Sequence, residues 1–182
     1  MAATGIGASV RRLEDKRFIT GRGRYTDDIN RPGQLHAYFL RSPHAHARIR
    51  GVDIAAAQAA PGVAAVYTGR DIKRFVPTSD DLTEEDVGGL ICGWMIHSKD
   101  GSPMNAGAHP ALARDTVRYV GDHVAVVIAE TLRQAQDAAE LIQVDYEVLP
   151  AVVSTAHARD PGQPEVHEGI ARNAVFLSLI HI

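Results

Sequence analysis

The apolar positions of this chain fall into short runs with two distinct periods, and those periods predict its elements. Leu35-His36-Ala37-Tyr38-Phe39-Leu40 is rich in strand formers and is broken by Arg41-Ser42-Pro43. His44-Ala45-His46-Ala47-Arg48-Ile49 then alternates polar with apolar, the period of a half-buried strand. Asp53 stands as N-cap to a short alanine-rich helix, 54–60, which Pro61-Gly62 ends. Val63-Ala64-Ala65-Val66-Tyr67-Thr68 reads as the next strand. The second half repeats this grammar. Val117 to Val120, the turn pair Gly121-Asp122, and Val124 to Ala129 predict a hairpin whose second strand is largely buried. Thr131 caps a helix to about Gln143, with Leu132, Ala135, Ala139 and Ile142 forming one inward stripe. Val144 to Leu149 alternates as a strand, and Pro150 stops it. Two strand–helix–strand units, around 35–68 and 123–149, predict an α/β (α+β) fold: a mixed sheet with two packed helices.

Two stretches lack such a pattern. Residues 4–34 are irregular, with glycines at Gly5, Gly7, Gly21, Gly23 and Gly33. Residues 75–110 form a connection longer than compact domains normally carry. Its first part, Asp80 to Asp86, is acidic; its second, Ile91-Cys92-Gly93-Trp94-Met95-Ile96, is apolar and holds the only tryptophan. Such a cluster either docks against another domain or subunit or folds back on its own sheet.

Composition narrows the class. The 182 residues are 45% apolar and 23% charged, the size of one ordinary domain. Nineteen Lys and Arg against 22 Asp and Glu give a net charge of −3. That balance argues against a nucleic-acid binder, which concentrates cations on its phosphate footprint. Cys92 is alone, so no internal disulfide forms and a reducing compartment is expected. The start carries no cationic, then apolar leader, and no stretch is long and apolar enough to span a membrane. A cytoplasmic protein is expected.

Local chemistry is sparse. Gly5-x-Gly7 and Gly21-x-Gly23 lack the preceding strand and following helix of a dinucleotide fingerprint, so they read as turns. Arg11, Arg12, Lys16, Arg17, Arg22 and Arg24 make a locally basic arm, interrupted by Glu14 and Asp15. It reads as a solvated or interface-bound arm rather than one for nucleic acid. His44 and His46, two apart, would share one face of a strand. With a third from His36, His97, His109 or His123 they could ligate a metal, but no paired spacing brings four ligands together, and hydrogen-bonded strand histidines are expected. Cys92 has no neighbouring cation to lower its pKa, and no Gly-x-Ser-x-Gly elbow occurs. Glu130, Asp137, Glu140 and Asp145 read as the solvent face around a helix. No catalytic, cofactor-binding or metal-ligating residue is assigned.

Taken in order, however, the blocks form a pattern. Ile6 to Asp15 leads into Arg17-Phe18-Ile19-Thr20-Gly21-Arg22-Gly23-Arg24-Tyr25-Thr26-Asp27-Asp28, then Pro32 to Ala37 and Arg41-Ser42-Pro43-His44-Ala45-His46-Ala47-Arg48-Ile49. Pro61-Gly62-Val63, His109 to Ala113, Val117 to Asp122 and Val144 to Pro150 follow. This order resembles the N-terminal part of the molybdenum-binding large subunit of molybdenum hydroxylases, the family of xanthine dehydrogenase, aldehyde oxidase and aerobic carbon monoxide dehydrogenase. His123 departs from it, standing where relatives commonly carry proline. The resemblance implies an irregular arm over 1–22, an α/β hammerhead domain over 23–158, and the start of a linker to a molybdenum-binding domain over 159–176. The final Leu177-Ser178-Leu179-Ile180-His181-Ile182 is also what one frame of a sequencing-library transposon end encodes, so 177–182 is expected to be a non-native tail.

For the parent enzyme the resemblance implies molybdenum–pyranopterin chemistry: hydroxylation of a carbon centre, or oxidation of carbon monoxide, with water as the oxygen source. Its partners would be the missing C-terminal molybdenum-binding part and iron–sulfur and flavin (FAD) subunits or domains. No cofactor-binding segment or base glutamate of the family matches a position here. The fragment alone is therefore expected to hold no cofactor and to be inactive. The alternative is a stand-alone, non-catalytic binding or scaffold module with a hammerhead fold. A weaker third option is a metal-binding protein built on His44 and His46.

Overall fold

A computed structural model describes residues 5, 6, 9, 12–72, 96–105, 107 and 109–177. They fall into two compact units, one within Met1–Gln34 and one within Leu35–Ile182. The apolar cluster at 91–95 and Cys92 lie outside the described residues.

The first unit has very little packing. Its helix α1 (Asp15–Ile19) is followed by a 3-10 turn, Thr26–Asp28, closed by reciprocal bonds between Tyr25 and Asp28. Phe18 and Tyr25 stack with centroids 5.7 Å apart. Gly21, at φ +67, makes the turn after α1, as expected of a glycine there.

Among its described residues the second unit contains six strands and two α-helices: β1 (His36–Arg41), β2 (Ala47–Asp53), α2 (Ala55–Gln58), β3 (Val63–Thr68), β4 (Thr116–Val117), β5 (His123–Ala129), α3 (Leu132–Ala139) and β6 (Gln143–Val148). The α/β class holds, but the sheet is not a single mixed one. Two three-stranded sheets form, ordered β1-β5-β3 and β4-β2-β6, and every pairing is antiparallel. The reason lies in the connections. The segment β2–α2–β3 leaves one sheet and enters the other, and β5–α3–β6 makes the return journey. Neither helix joins neighbours within one sheet, so no parallel pair arises.

The expected hairpin between 117–120 and 124–129 does not form. Both edges of β5 are taken, by β1 and β3, so Val117 pairs with Ala47 of β2 instead. The strand expected at 44–49 begins only at Ala47. The Ser42 hydroxyl accepts from the His44 amide at 3.0 Å and donates to the His44 carbonyl, which holds that stretch in a turn.

Both helices sit where the pattern put them and are shorter. Asp53 Oδ1 accepts from the Ala55 amide at 3.0 Å at the start of α2. At α3, Thr131 Oγ1 accepts from the Gln134 amide at 3.2 Å. Beyond Ala139 the chain tightens, with Leu141 and Ile142 bonding three residues back. Ile142 still reaches the core, whereas Leu132, expected on the inward stripe, is 46% exposed.

The core against α3 is built largely of small residues. Ala135, Ala138 and Ala139 meet Ala125, Val127 and Ala129 of β5 and Val66 of β3. A second cluster joins Val124 to Ala47, Ile49, Ala113 and Val117. Val52 and Val144 pack against both clusters. Along β5, Val124, Ala125, Val127 and Ala129 are buried and Val126 and Ile128 half-buried, in keeping with its unbroken apolar run. Gly69 shows how closely the segments approach: a Cβ there would lie 2.4 Å from the Ala113 carbonyl oxygen.

Alanine faces of this kind leave no room for growth. Ala135→Leu is expected to destabilise the chain by about 1–3 kcal/mol through overpacking. Thr131→Ala should cost about 1 kcal/mol through the lost cap. Urea denaturation of the two variants beside the parent chain checks both values.

Candidate functional site

A polar grouping gathers around the loop between β4 and β5. Asp122, 7% exposed, accepts at Oδ2 from the Arg118 amide at 3.0 Å, and its own amide donates to the Tyr119 carbonyl. This closed loop is clamped to the end of β1 by two backbone bonds of 2.8 Å: the Ser42 amide to the Asp122 carbonyl and the Gly121 amide to the Ser42 carbonyl. Arg41 Nη1 adds a bond to the Gly121 carbonyl at 3.1 Å. Residues Gly121 and Asp122, a turn pair in the sequence, thus form a junction between β1 and the start of β5.

Arg118 extends the junction to the C-terminal segment. Its Nε donates to the Val166 carbonyl at 3.1 Å. Asn173 organises that segment from within: Oδ1 accepts from the Val166 amide at 2.8 Å, and Nδ2 donates to the carbonyls of Ala158 and Pro164 at 2.9 and 3.0 Å. Arg172 and Asn173 both have left-handed backbone, at φ +55 and +53, a conformation an asparagine tolerates better than most residues. Further on, Asn105 donates its amide to the Val175 carbonyl and Lys99 donates its amide to that of Leu177, both at 2.8 Å.

Three rings line the junction. His109 stacks on Tyr119 with centroids 6.2 Å apart. Burial pushes the Tyr119 phenol up, and the Asp122 carboxylate adds to the effect. His167 rests on Gly107, where a Cβ would stand 2.4 Å from its Nδ1. Burial holds the His167 imidazole below its ordinary 6.5, and Arg118 and His109 push the same way against Asp122. On the other side, His44 meets Tyr146 edge-on at 4.9 Å, and burial raises the Tyr146 phenol.

The arrangement fastens segments together. His44 and His46 do not converge, because both precede β2; His46 Nδ1 instead bonds the Pro150 carbonyl at 2.8 Å. His123 opens β5 and stacks on Phe39 at 4.7 Å, His36 lies at the start of β1, and His97 bridges to Pro103. Among the described residues no three of His, Cys, Asp and Glu are grouped as a metal would need. Glu130, Asp137, Glu140 and Asp145 are exposed, the solvent positions expected of them. In the arm, Arg12 pairs with Asp15 and Arg17 with Glu14, at 3.1 and 3.8 Å. Arg118, His167 and Asn173 escaped the sequence reading, since no motif marks a residue whose partners are distant backbone carbonyls.

The His167 environment predicts a pH dependence. Held neutral in the fold, it binds a proton more readily once unfolded. Stability is therefore undiminished above about pH 6.5 and falls as the pH drops from there through the lowered folded value. Urea midpoints taken between about pH 7.5 and 5 should fall less steeply for His167→Gln than for the parent chain. Identical profiles would remove His167 as the titrating group.

Comparison with known proteins supplies the context for a domain built this way. Residues 20–87 and 75–150 match the sequence model of the aldehyde oxidase and xanthine dehydrogenase a/b hammerhead domain. The chain is 41% identical over 148 residues to the nicotine 6-hydroxylase large subunit of Paenarthrobacter nicotinovorans, covering 81% of this chain and 16% of that protein. It is 36% identical over 170 residues to the carbon monoxide dehydrogenase large chain of Afipia carboxidovorans, covering 91% of this chain and 18% of that one. Among solved structures, quinoline 2-oxidoreductase from Pseudomonas putida 86 superposes with a TM-score of 0.66 at 41% identity, over 88% of this chain and 18% of that one. The aldehyde oxidoreductase of Desulfovibrio gigas gives 0.69 at 29% identity, over 87% and 16%. The chain spans less than a fifth of the length of each of these relatives. With the order of its blocks, its two linked sheets and these matches in agreement, the chain belongs to the aldehyde oxidase and xanthine dehydrogenase family, whose a/b hammerhead domain it carries.

Proposed function

We propose that this chain is the N-terminal part of the molybdopterin-binding large subunit of a molybdenum hydroxylase, and that it serves there as scaffold rather than as catalyst. The observation that carries this reading is the match through the hammerhead residues to large subunits of which the chain covers 16–19%. On this reading residues 1–22 are the arm, 23–158 the hammerhead domain and 159–176 the start of the linker to the molybdenum-binding part. The Arg118–Val166 and Asn173 bonds support such a role, because they set how the chain leaves the domain.

The residues present do not fit the family's cofactors. The polar cluster around the loop between β4 and β5 centres on an arginine and on hydrogen bonds already made, and no three potential ligands are grouped among the described residues. Cys92 is the only cysteine, and one thiolate cannot hold an iron–sulfur cluster. Molybdenum–pyranopterin, iron–sulfur and flavin groups are therefore assigned to the rest of the large subunit and to partner subunits. Among the described residues no helix is long and apolar enough to cross a membrane. A cytoplasmic complex accords with the single cysteine.

The purified 182-residue chain is expected to contain no stoichiometric molybdenum by mass spectrometry and to show no dehydrogenase activity. Stoichiometric metal would sink this reading. Sequencing the source locus past the Phe176 codon separates the two classes. A continuing frame with large-subunit motifs supports the enzyme part, and a natural stop selects the stand-alone module.

A further inference from the structure

Among its described residues the N-terminal unit has defined local structure and nothing buried. Across residues 12–34 no side chain is buried, and only Phe18 and Gly23 are even half-buried. Leu13 is 98% exposed and Ile19 is 83% exposed, at either end of α1. A five-residue helix does not persist alone in water, because its single turn fixes more dihedral angles than its hydrogen bonds can offset. Local contacts shape the segment: Thr20 Oγ1 donates to the Lys16 carbonyl at 2.6 Å, and the Arg22 amide donates to the Arg17 carbonyl at 2.9 Å. These contacts select a conformation without supplying a core to hold it.

What the segment offers outward is chemically specific. Leu13, Lys16, Arg17, Thr20 and Arg22 line an open hollow of about 600 Å³, three of the five cationic. Among the described residues Lys16 and Arg22 make no ion pair. Seven of the chain's 19 Lys and Arg lie in residues 1–34, against four of its 22 Asp and Glu. Fully exposed leucine and isoleucine among those cations suit a protein surface better than a phosphate backbone.

We propose that residues 12–28 fold onto the remainder of the large subunit, which presents an apolar socket for Leu13 and Ile19 rimmed by carboxylates for Lys16 and Arg22. This inference rests on the proposed function above. The carbon monoxide dehydrogenase large chain of Hydrogenophaga pseudoflava matches 94% of this chain, which leaves out about a dozen residues and so takes in most of the arm. This chain covers only 19% of that protein, so the arm there belongs to a polypeptide lying mostly outside the matched region. A socket on the same polypeptide meets the arm at a high effective concentration, an advantage that a separate subunit or a second copy lacks.

Amide hydrogen exchange on the full-length subunit from the source locus, beside the 182-residue chain, tests this. Residues 12–28 should exchange freely in the short chain and about 100-fold more slowly in the full-length subunit. Leu13→Ser, and separately Lys16→Glu with Arg22→Glu, should restore fast exchange there while β1 and β5 stay protected. Protection already present in the short chain would overturn the proposal. So would its absence in the full-length subunit, or its appearance only when the iron–sulfur or flavin subunit is added. A locus encoding no further large-subunit sequence would overturn the functional reading and this inference with it. An unprotected arm in a genuine full-length subunit overturns the docking alone.

Discussion

Strand β5 is paired along both edges and buried on the face that carries Ala125, Val127 and Ala129, and the rest of the domain is arranged by that double constraint. With β1 and β3 occupying its edges, Thr116 and Val117 must find a partner elsewhere and join β2. With Ala125, Val127 and Ala129 facing α3, Val124 is left to anchor the second cluster. The buried face has no place for an unpaired polar side chain, and the strand contains none after His123.

The small side chains are a consequence of the same geometry. Alanines on both α3 and β5 let helix and sheet approach closely, so packing is gained through proximity rather than bulk. The larger apolar and aromatic residues lie nearer the surface: Tyr67 is 45% exposed and Phe39 38%.

The polar junction at Ser42, Arg118 and Asp122 connects fold to function. It ties the end of β1, the start of β5 and the segment carrying Val166 into one hydrogen-bonded unit. The hydrogen bonds there run to or from backbone carbonyls and amides, which fixes chain direction. In large subunits about five times the length of this chain, these bonds support the scaffold role proposed above.

The sequence by itself predicted strands over 35–40, 63–68, 124–129 and 144–149, each found within a residue of its place, with the Thr131 cap and the inward Ala135 and Ala139 of α3. Those follow from period and capping chemistry, which act within a few residues. Asp53 bonds the Ala55 amide, but Ile54 takes the N-cap position of α2. The order of the blocks also carried the family, though no single block did. Only the tertiary structure decided that there are two antiparallel sheets, that Val117 leaves the expected hairpin, and that His44 and His46 part company. Strand partners are chosen by which edges are free and by bonds between residues far apart in the chain, such as Ser42 with Asp122. Arg118 and Asn173 were illegible for the same reason: their meaning lies in carbonyls that the fold brings to them.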